Sequence, residues 1–304
     1  MRRVLLTGAG GFLGGAAMEA LSALPGVRLV ATARRPLPAL PPGVEFIEAD
    51  LADPEAPDAL LAPGPCDAVV HCAAFIGSGN TGEELEAALA ANVAATARLA
   101  RACAGSGTRR FVFCSTTNIY GDVARENAPK AGVPETAPER PGNVYAWSKL
   151  ASEAHLRLVA ERTGMEAACL RLAGLHGPGR GAGMVFHMVK NALAGETLRV
   201  NEPGSAFTPL FARDAARALA LAVGMPMPEE FGICNVAGDG PVTLAELAER
   251  VVRLADSTST IELAAHAPER FQVFDGSAFA AASGFAPAPL EERLKESVEA
   301  QRKA

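Results

Sequence analysis

The stretch YAWSKLASEAH (145–155) holds Tyr145, one of two tyrosines in 304 residues, with Lys149 four places after it. A phenol titrates near ~10 and is a poor base at neutral pH; lowering it by ~3 units takes about 4 kcal/mol of differential stabilisation. Residues four apart on a helix share a face, so the Lys149 ammonium can stand beside the Tyr145 oxygen and supply part of that. A solvated surface pair has the same spacing, so these two residues need partners before they read as chemistry.

The apolar run RRFVFCS leads into STTNIYG, a hydroxyl cluster of Ser115, Thr116 and Thr117 about thirty residues before Tyr145. A hydroxyl at the carboxyl edge of a sheet can donate to a carbonyl oxygen while a nearby phenol exchanges a proton. At the N-terminus, LLTGAGGFLGG places Gly8, Gly11 and Gly14 in G-x-x-G-x-x-G spacing between a β run and an amphipathic helix that opens on Phe12 and Leu13. Such glycines permit a tight turn, let backbone amides approach a pyrophosphate and let helix and strand pack closely. Dinucleotide binding is the expected function of this turn.

About twenty residues further on, a carboxylate would grip the free ribose 2′-hydroxyl of NAD. This chain has Ala33, Arg34 and Arg35 there. Two guanidiniums suit a 2′-phosphate, so NADP is expected, with NAD the alternative. Asp50, followed by Leu51, stands just after the third β run, where it can accept from an adenine amino group or cap the segment before Pro54.

Positioning these residues takes a series of β and α elements. The runs VRLVATARR, VEFIEA, DAVVHCAA, RRFVFCS and EAACLRL alternate with helical stretches such as 83–104 and 146–163. Their continuous hydrophobicity implies burial on both faces, hence an α/β fold with a doubly wound parallel sheet of the Rossmann type, expected over 1–172. Beyond it, Gly/Pro punctuation and helices near 184–194, 213–223, 243–256 and 290–302 predict a second, smaller, mostly helical substrate lobe over 173–304. The chain is expected to return to the first domain near 207–236.

With 49% hydrophobic and 20% charged residues the chain can bury a full core, and a net charge of −6 without a Lys/Arg run argues against nucleic acid. No uncharged run approaches the ~18 apolar residues of a membrane span, and Arg2-Arg3 with VLLTGAGG reads as strand and turn, not as a secretory leader. Six cysteines (Cys66, Cys72, Cys103, Cys114, Cys169, Cys234) form no C-x-x-C pair, and five histidines have no metal-ligand spacing. Reduced structural thiols, no metal and a cytoplasmic location are expected.

TGAGGFLG, HCAA (71–74), NVAAT (92–96), STTNIYG, YAWSK and LRLAGLHGPG (170–179) together closely resemble the extended short-chain dehydrogenase/reductase superfamily, in its NAD-dependent epimerase/dehydratase group. CNVAGDGPVTLAEL and FDGSAFAAASGFAPAPLEERLKESVE carry the resemblance over essentially the whole chain. It implies a catalytic triad of Thr116, Tyr145 and Lys149, with Lys149 also holding the nicotinamide ribose. It further implies that Ala73 and Ala74 line the cofactor cleft, that Asn92 supports the site, and that a homodimer forms through helices 83–104 and 146–163.

The chain also departs from that pattern. Many nucleotide-sugar members carry an asparagine where Gly174 stands, and their diphosphate-clamping arginine falls at about Phe207, which has no fork to offer a phosphate. Thr116 is followed by Thr117-Asn118 instead of Asp-Glu, which removes the acid and base of a dehydratase. No G-x-S-x-G elbow supports a serine hydrolase, and His155, His176 and His187 read as satisfied or solvated. The expected function is an NADP-preferring oxidoreductase that moves hydride between nicotinamide and a secondary alcohol or ketone of a small polar substrate, sugar-like or a hydroxy acid. The alternatives are a sugar or nucleotide-sugar epimerase with retained cofactor and a non-catalytic NADPH sensor. Substrate identity is expected in the loops 75–83, 121–143 and 176–210.

Overall fold

The computed structural model describes residues 2–77, 79–121, 132–265 and 269–303. Of the expected substrate loops, residues 78 and 122–131 lie outside the described residues. Seven strands form the main sheet: β1 (Arg2–Thr7), β2 (Val27–Ala33), β3 (Glu45–Glu48), β4 (Ala68–His71), β5 (Arg110–Thr116), β6 (Glu166–Leu172) and β7 (Phe231–Val236). They stand in the order β7-β6-β5-β4-β1-β2-β3, every neighbouring pair parallel, as the unbroken apolar runs predict.

Alternate strand residues feed two cores, one on each face. Leu6, Val70, Val112 and Leu170 pack on one face with Ala17 and Leu21 of α1 (Phe12–Ser22). Leu5, Val69, Phe111 and Ala167 pack on the other, beneath α2 (Ala56–Leu61) and further helices. Each fully buried Leu, Val or Phe contributes about 1.5–3 kcal/mol, so the sandwich holds the sheet edge rigid beneath whatever binds there.

The helix expected over 83–104 is three pieces: α3 (Gly82–Ala88) with a Thr81/Glu84 capping box, a π-helical turn (Leu89–Ala94), and α4 (Ala95–Gly105). Beside α4 runs α5 (Val144–Thr163), whose first turn is capped by the Asn143 side chain accepting from the Ala146 amide at 2.8 Å. A third core, around Val189, Leu247 and Leu294, joins α6 (Met184–Leu193), α8 (Leu244–Leu254) and α10 (Leu290–Arg302). Between these, α7 (Ala212–Ala222) packs against α1, and α9 (Ser277–Ser283) lies near β7. Among the described residues no helix is long and apolar enough to cross a membrane.

Candidate active site

The strand order reverses direction between β1 and β4, and their carboxyl ends border the crevice where open α/β sheets seat ligands. The glycine turn fills the β1 side. Gly8 has a φ of +72°, and a Cβ there would lie 2.6 Å from the Ala73 amide nitrogen. A Cβ on Gly14 would lie 1.9 Å from the Gly8 carbonyl oxygen, so only glycine lets α1 approach the turn. Gly11 is the N-cap of α1 and no side chain caps that end, which leaves the amides of the first turn, at Phe12 and Leu13, to face an anion. This cradle fits a dinucleotide pyrophosphate.

Around it, Ala73 and Ala74 follow β4 on the opposite lip, the Ala73 amide donating to the Thr7 hydroxyl at 3.4 Å. Arg34 and Arg35 are exposed immediately beyond β2. Asp50 is exposed and accepts from the Ala52 amide at 3.0 Å, so one carboxylate oxygen serves a local turn; Leu51 is buried in the core below.

Contacts separate the three hydroxyls that the sequence leaves together at the end of β5. Ser115 donates to the Glu153 carboxylate, and Thr117 donates to the Leu172 carbonyl at 3.3 Å. Thr116 accepts from the Asn118 amide at 3.2 Å, which leaves its own proton for another acceptor. Tyr145 and Lys149 lie on the first two turns of α5, which packs on β5. The Lys149 ammonium is buried 4.4 Å from the centre of the Phe113 ring and 6.0 Å from that of Tyr145.

The expected lowering of the Tyr145 phenol by Lys149 is not found in the chain by itself. Burial pushes the phenol well above its ordinary value, Cys114 adds to that, and the Arg180 guanidinium pulls it back in part. Burial likewise lowers the Lys149 ammonium, with Cys114, Cys72, Glu153 and Cys169 opposing. Arg180, which the sequence reading passed over, reaches across from the loop after β6 and stacks 5.6 Å from the centre of the Phe12 ring. A cation therefore stands over the residue that opens α1, and the one sequence signal for it is the glycine-rich setting GPGRGAG.

Two polar anchors hold these pieces in register. Asn92, buried in the π-helical turn, accepts from the Phe75 amide at 2.7 Å and donates to the Phe75 carbonyl at 2.9 Å and the Ser148 hydroxyl at 2.8 Å. It thereby ties the loop after β4 to α5. Arg171, fully buried on β6, pairs with Glu153 at 2.7 Å and with Glu139, and stacks on Tyr120 5.0 Å from the ring centre. Of the histidines, His187 is exposed beside Phe186, His155 is half-buried, and His176 is buried with both ring nitrogens unpaired. Gly174 is exposed with open space where a side chain would stand, and Phe207 lies in a short strand (Ala206–Phe207). Among the described residues no cluster of His, Cys, Asp or Glu could hold a metal ion.

A family model described as the NAD dependent epimerase/dehydratase family matches residues 4–237. A UDP-glucose 4-epimerase of Azospirillum brasilense is 31% identical over 201 residues, 62% of this chain and 56% of that protein. A dTDP-4-dehydrorhamnose reductase of Mycobacterium tuberculosis is 31% identical over 221 residues, 71% of this chain and 64% of that one. The chain thus spans less than two thirds of the length of these curated relatives. Among solved structures, MoeE5 in complex with UDP-glucose and NAD superposes with a TM-score of 0.82 at 26% identity, over 99% of both chains.

Proposed function

Because this chain belongs to the NAD dependent epimerase/dehydratase family, we propose that it exchanges hydride between a nicotinamide dinucleotide and a secondary carbinol of a sugar substrate, in the epimerase mode. The carbinol would be oxidised to a ketone that turns its opposite face to the same retained dinucleotide and takes the hydride back there, so the configuration inverts with no net redox change. The relatives favour this mode over the one-way oxidoreductase expected from the sequence, since they include several nucleotide-sugar 4-epimerases. The bound dinucleotide supplies the hydride acceptor and a positive charge.

The observation that carries the proposal is the uncommitted proton of Thr116 beside α5, while both flanking hydroxyls are spent inside the fold. Thr116 donates to the substrate oxygen, Tyr145 removes and returns the hydroxyl proton, and Lys149 holds the ribose and stabilises the phenolate. Gly8, Gly11, Phe12, Leu13, Gly14, Ala73 and Ala74 seat the dinucleotide, with Asp50 and Leu51 at its adenine end. Arg34 and Arg35 are assigned to the 2′-phosphate of NADP, since they, and no acidic residue, directly follow β2 in sequence.

A cavity of about 310 Å³ in the C-terminal part is lined by His187, Asn191, Arg199 and Asn201 among others, and in the nucleotide-sugar reading it is assigned to the base-bearing end of the substrate. We assign residues 1–172, together with the segment near 207–236 that returns to them through α7 and β7, to the dinucleotide domain and the rest of 173–304 to the substrate lobe. Exposed Leu85, Leu89, Trp147 and Leu158, on the helices from 82 to 163, support a homodimer through that face, and a cytoplasmic location agrees with six free thiols. A one-way dehydrogenase is the second reading, favoured by Gly174 and Phe207, which offer nothing to a nucleotide diphosphate.

The test is incubation with catalytic dinucleotide and a panel of UDP- and dTDP-sugars and free uronic acids, followed by NMR of the sugar and absorbance of the nicotinamide. Inversion at one carbon without net absorbance change is expected. Stoichiometric reduction of the dinucleotide establishes the dehydrogenase instead, and inertness towards the whole panel overturns the sugar assignment.

A further inference from the structure

Strands β4 and β5 pair with His71 opposite Phe113, so one step beyond puts Cys72 opposite Cys114. Their sulfurs are 3.1 Å apart, about 1 Å more than a disulfide bond of ~2.05 Å. Both side chains lie on the face shared with α1. Cys72 is half-buried at the lip of the crevice and Cys114 is 5% exposed behind it. A Cβ on Gly8 of the dinucleotide turn would lie 2.9 Å from the Cys72 carbonyl carbon, so the Cys72 backbone adjoins the cradle itself. Contact with Cys114 and burial hold the Cys72 thiol up, and the Lys149 ammonium draws it back. The other cysteines are placed differently: Cys66, Cys103 and Cys169 are buried in the opposite core, and Cys234 lies on β7.

We propose that Cys72 and Cys114 are a modification site, a dithiol in the floor of the dinucleotide crevice that peroxide oxidises to an intramolecular disulfide and that a seated dinucleotide shields. The more accessible Cys72 loses its proton beside the Lys149 ammonium and attacks one peroxide oxygen as thiolate, forming a sulfenic acid and a hydroxide that takes up that proton as water. Cys114 then attacks that sulfur and displaces a second water. Two thiols lose two electrons and two protons, and one hydrogen peroxide becomes two waters. Closing the sulfurs to bonding distance draws the end of β4 towards β5, shifting Ala73 against Gly8 and Thr116 two residues beyond Cys114. The disulfide form therefore binds dinucleotide weakly. The shielding, though not the disulfide, rests on the dinucleotide reading above.

The reduced full chain is exposed to hydrogen peroxide with and without saturating NADPH or NADH, alkylated, digested and mapped by mass spectrometry. The expected product is a peptide pair joined through Cys72 and Cys114 and lighter by two hydrogens, with the other four thiols alkylated. At a dinucleotide concentration ten times its Kd, cross-linking slows about ten-fold. Dithiothreitol restores both thiols and dinucleotide binding, Cys72→Ser abolishes the cross-link, and Cys234→Ser leaves it in place. Six alkylated thiols after peroxide, a cross-link between other cysteines, or an unchanged rate with dinucleotide bound overturns the proposal. Dinucleotide binding is followed separately by NADPH fluorescence: its absence in the reduced chain counts against the dinucleotide reading, whereas a missing cross-link with binding intact counts against the dithiol.

Discussion

The Lys149 ammonium lies 6.0 Å from the centre of the Tyr145 ring, closer to the Phe113 ring than to its expected partner. Burial holds the Tyr145 phenol up, so the proposed base is protonated in the chain alone. The missing stabilisation has to arrive with a positive ligand. Saturating oxidised dinucleotide is therefore expected to bring tyrosinate absorbance down to lower pH, while the chain alone shows none below ~10. The signal is clean, because burial also raises the only other tyrosine, Tyr120. Tyr145→Phe should remove that absorbance and cut turnover by about 10²–10⁴, leaving dinucleotide affinity within a few-fold. Full activity in that variant would discard the mechanism.

Two buried histidines make the fold sensitive to mild acid. His71 sits between the Thr7 hydroxyl at 2.6 Å and the Thr96 hydroxyl at 2.8 Å, and burial, with Lys149 adding, lowers it to about 3. His176 is lowered to about 4, chiefly by burial. Both folded values lie below the unfolded ~6.5, so the unfolded chain takes up protons first and stability falls as pH drops from ~6.5 towards those values. At pH 5 this amounts to about 2 kcal/mol for each histidine. Urea midpoints at neutral pH and at pH 5 should differ accordingly, and His176→Gln should remove about half of the histidine-dependent difference.

Arg34 and Arg35 are exposed just past β2, with no acidic residue beside them in sequence. Replacing both by alanine should weaken NADPH by about ten-fold or more, as expected for lost charge-assisted contacts, and NADH much less. Fluorescence titration of each cofactor reads the ratio, and an equal loss for both removes the 2′-phosphate assignment.

The glycine turn was legible in sequence because its demand is steric and local: Gly8 and Gly14 each exclude a Cβ by contact with backbone. Continuous apolar runs likewise fixed a sheet buried on both faces. Thr116 was singled out over Ser115 and Thr117 by the family resemblance alone; the contacts that occupy its two neighbours were not legible, since they depend on Glu153 and Leu172, residues brought in by later elements. The same holds for Arg180 over Phe12 and for Cys72 against Cys114, pairs separated by long stretches of chain. The π-turn escaped for another reason: LAANVA keeps an ordinary helical composition, and only the pull of Asn92 on the Phe75 loop distinguishes it.

Glu153 provides the sharpest separation of folding from chemistry. Its carboxylate accepts from Arg171 at 2.7 and 3.1 Å and from Ser115, the residue next to Thr116. Glu153→Gln leaves the buried Arg171 with only the half-exposed Glu139, and breaking a buried pair in this way costs about 3–5 kcal/mol. The double variant Glu153→Leu with Arg171→Met removes the stranded charge, so it should recover most of that loss in a urea titration. Turnover should not recover with it, because Ser115 has lost its acceptor and the end of β5 is free to turn Thr116 away from the substrate oxygen. A double variant that is stable yet slow, with little change in KM, identifies Glu153 as a positioning residue; one that regains wild-type turnover reduces its role to structure.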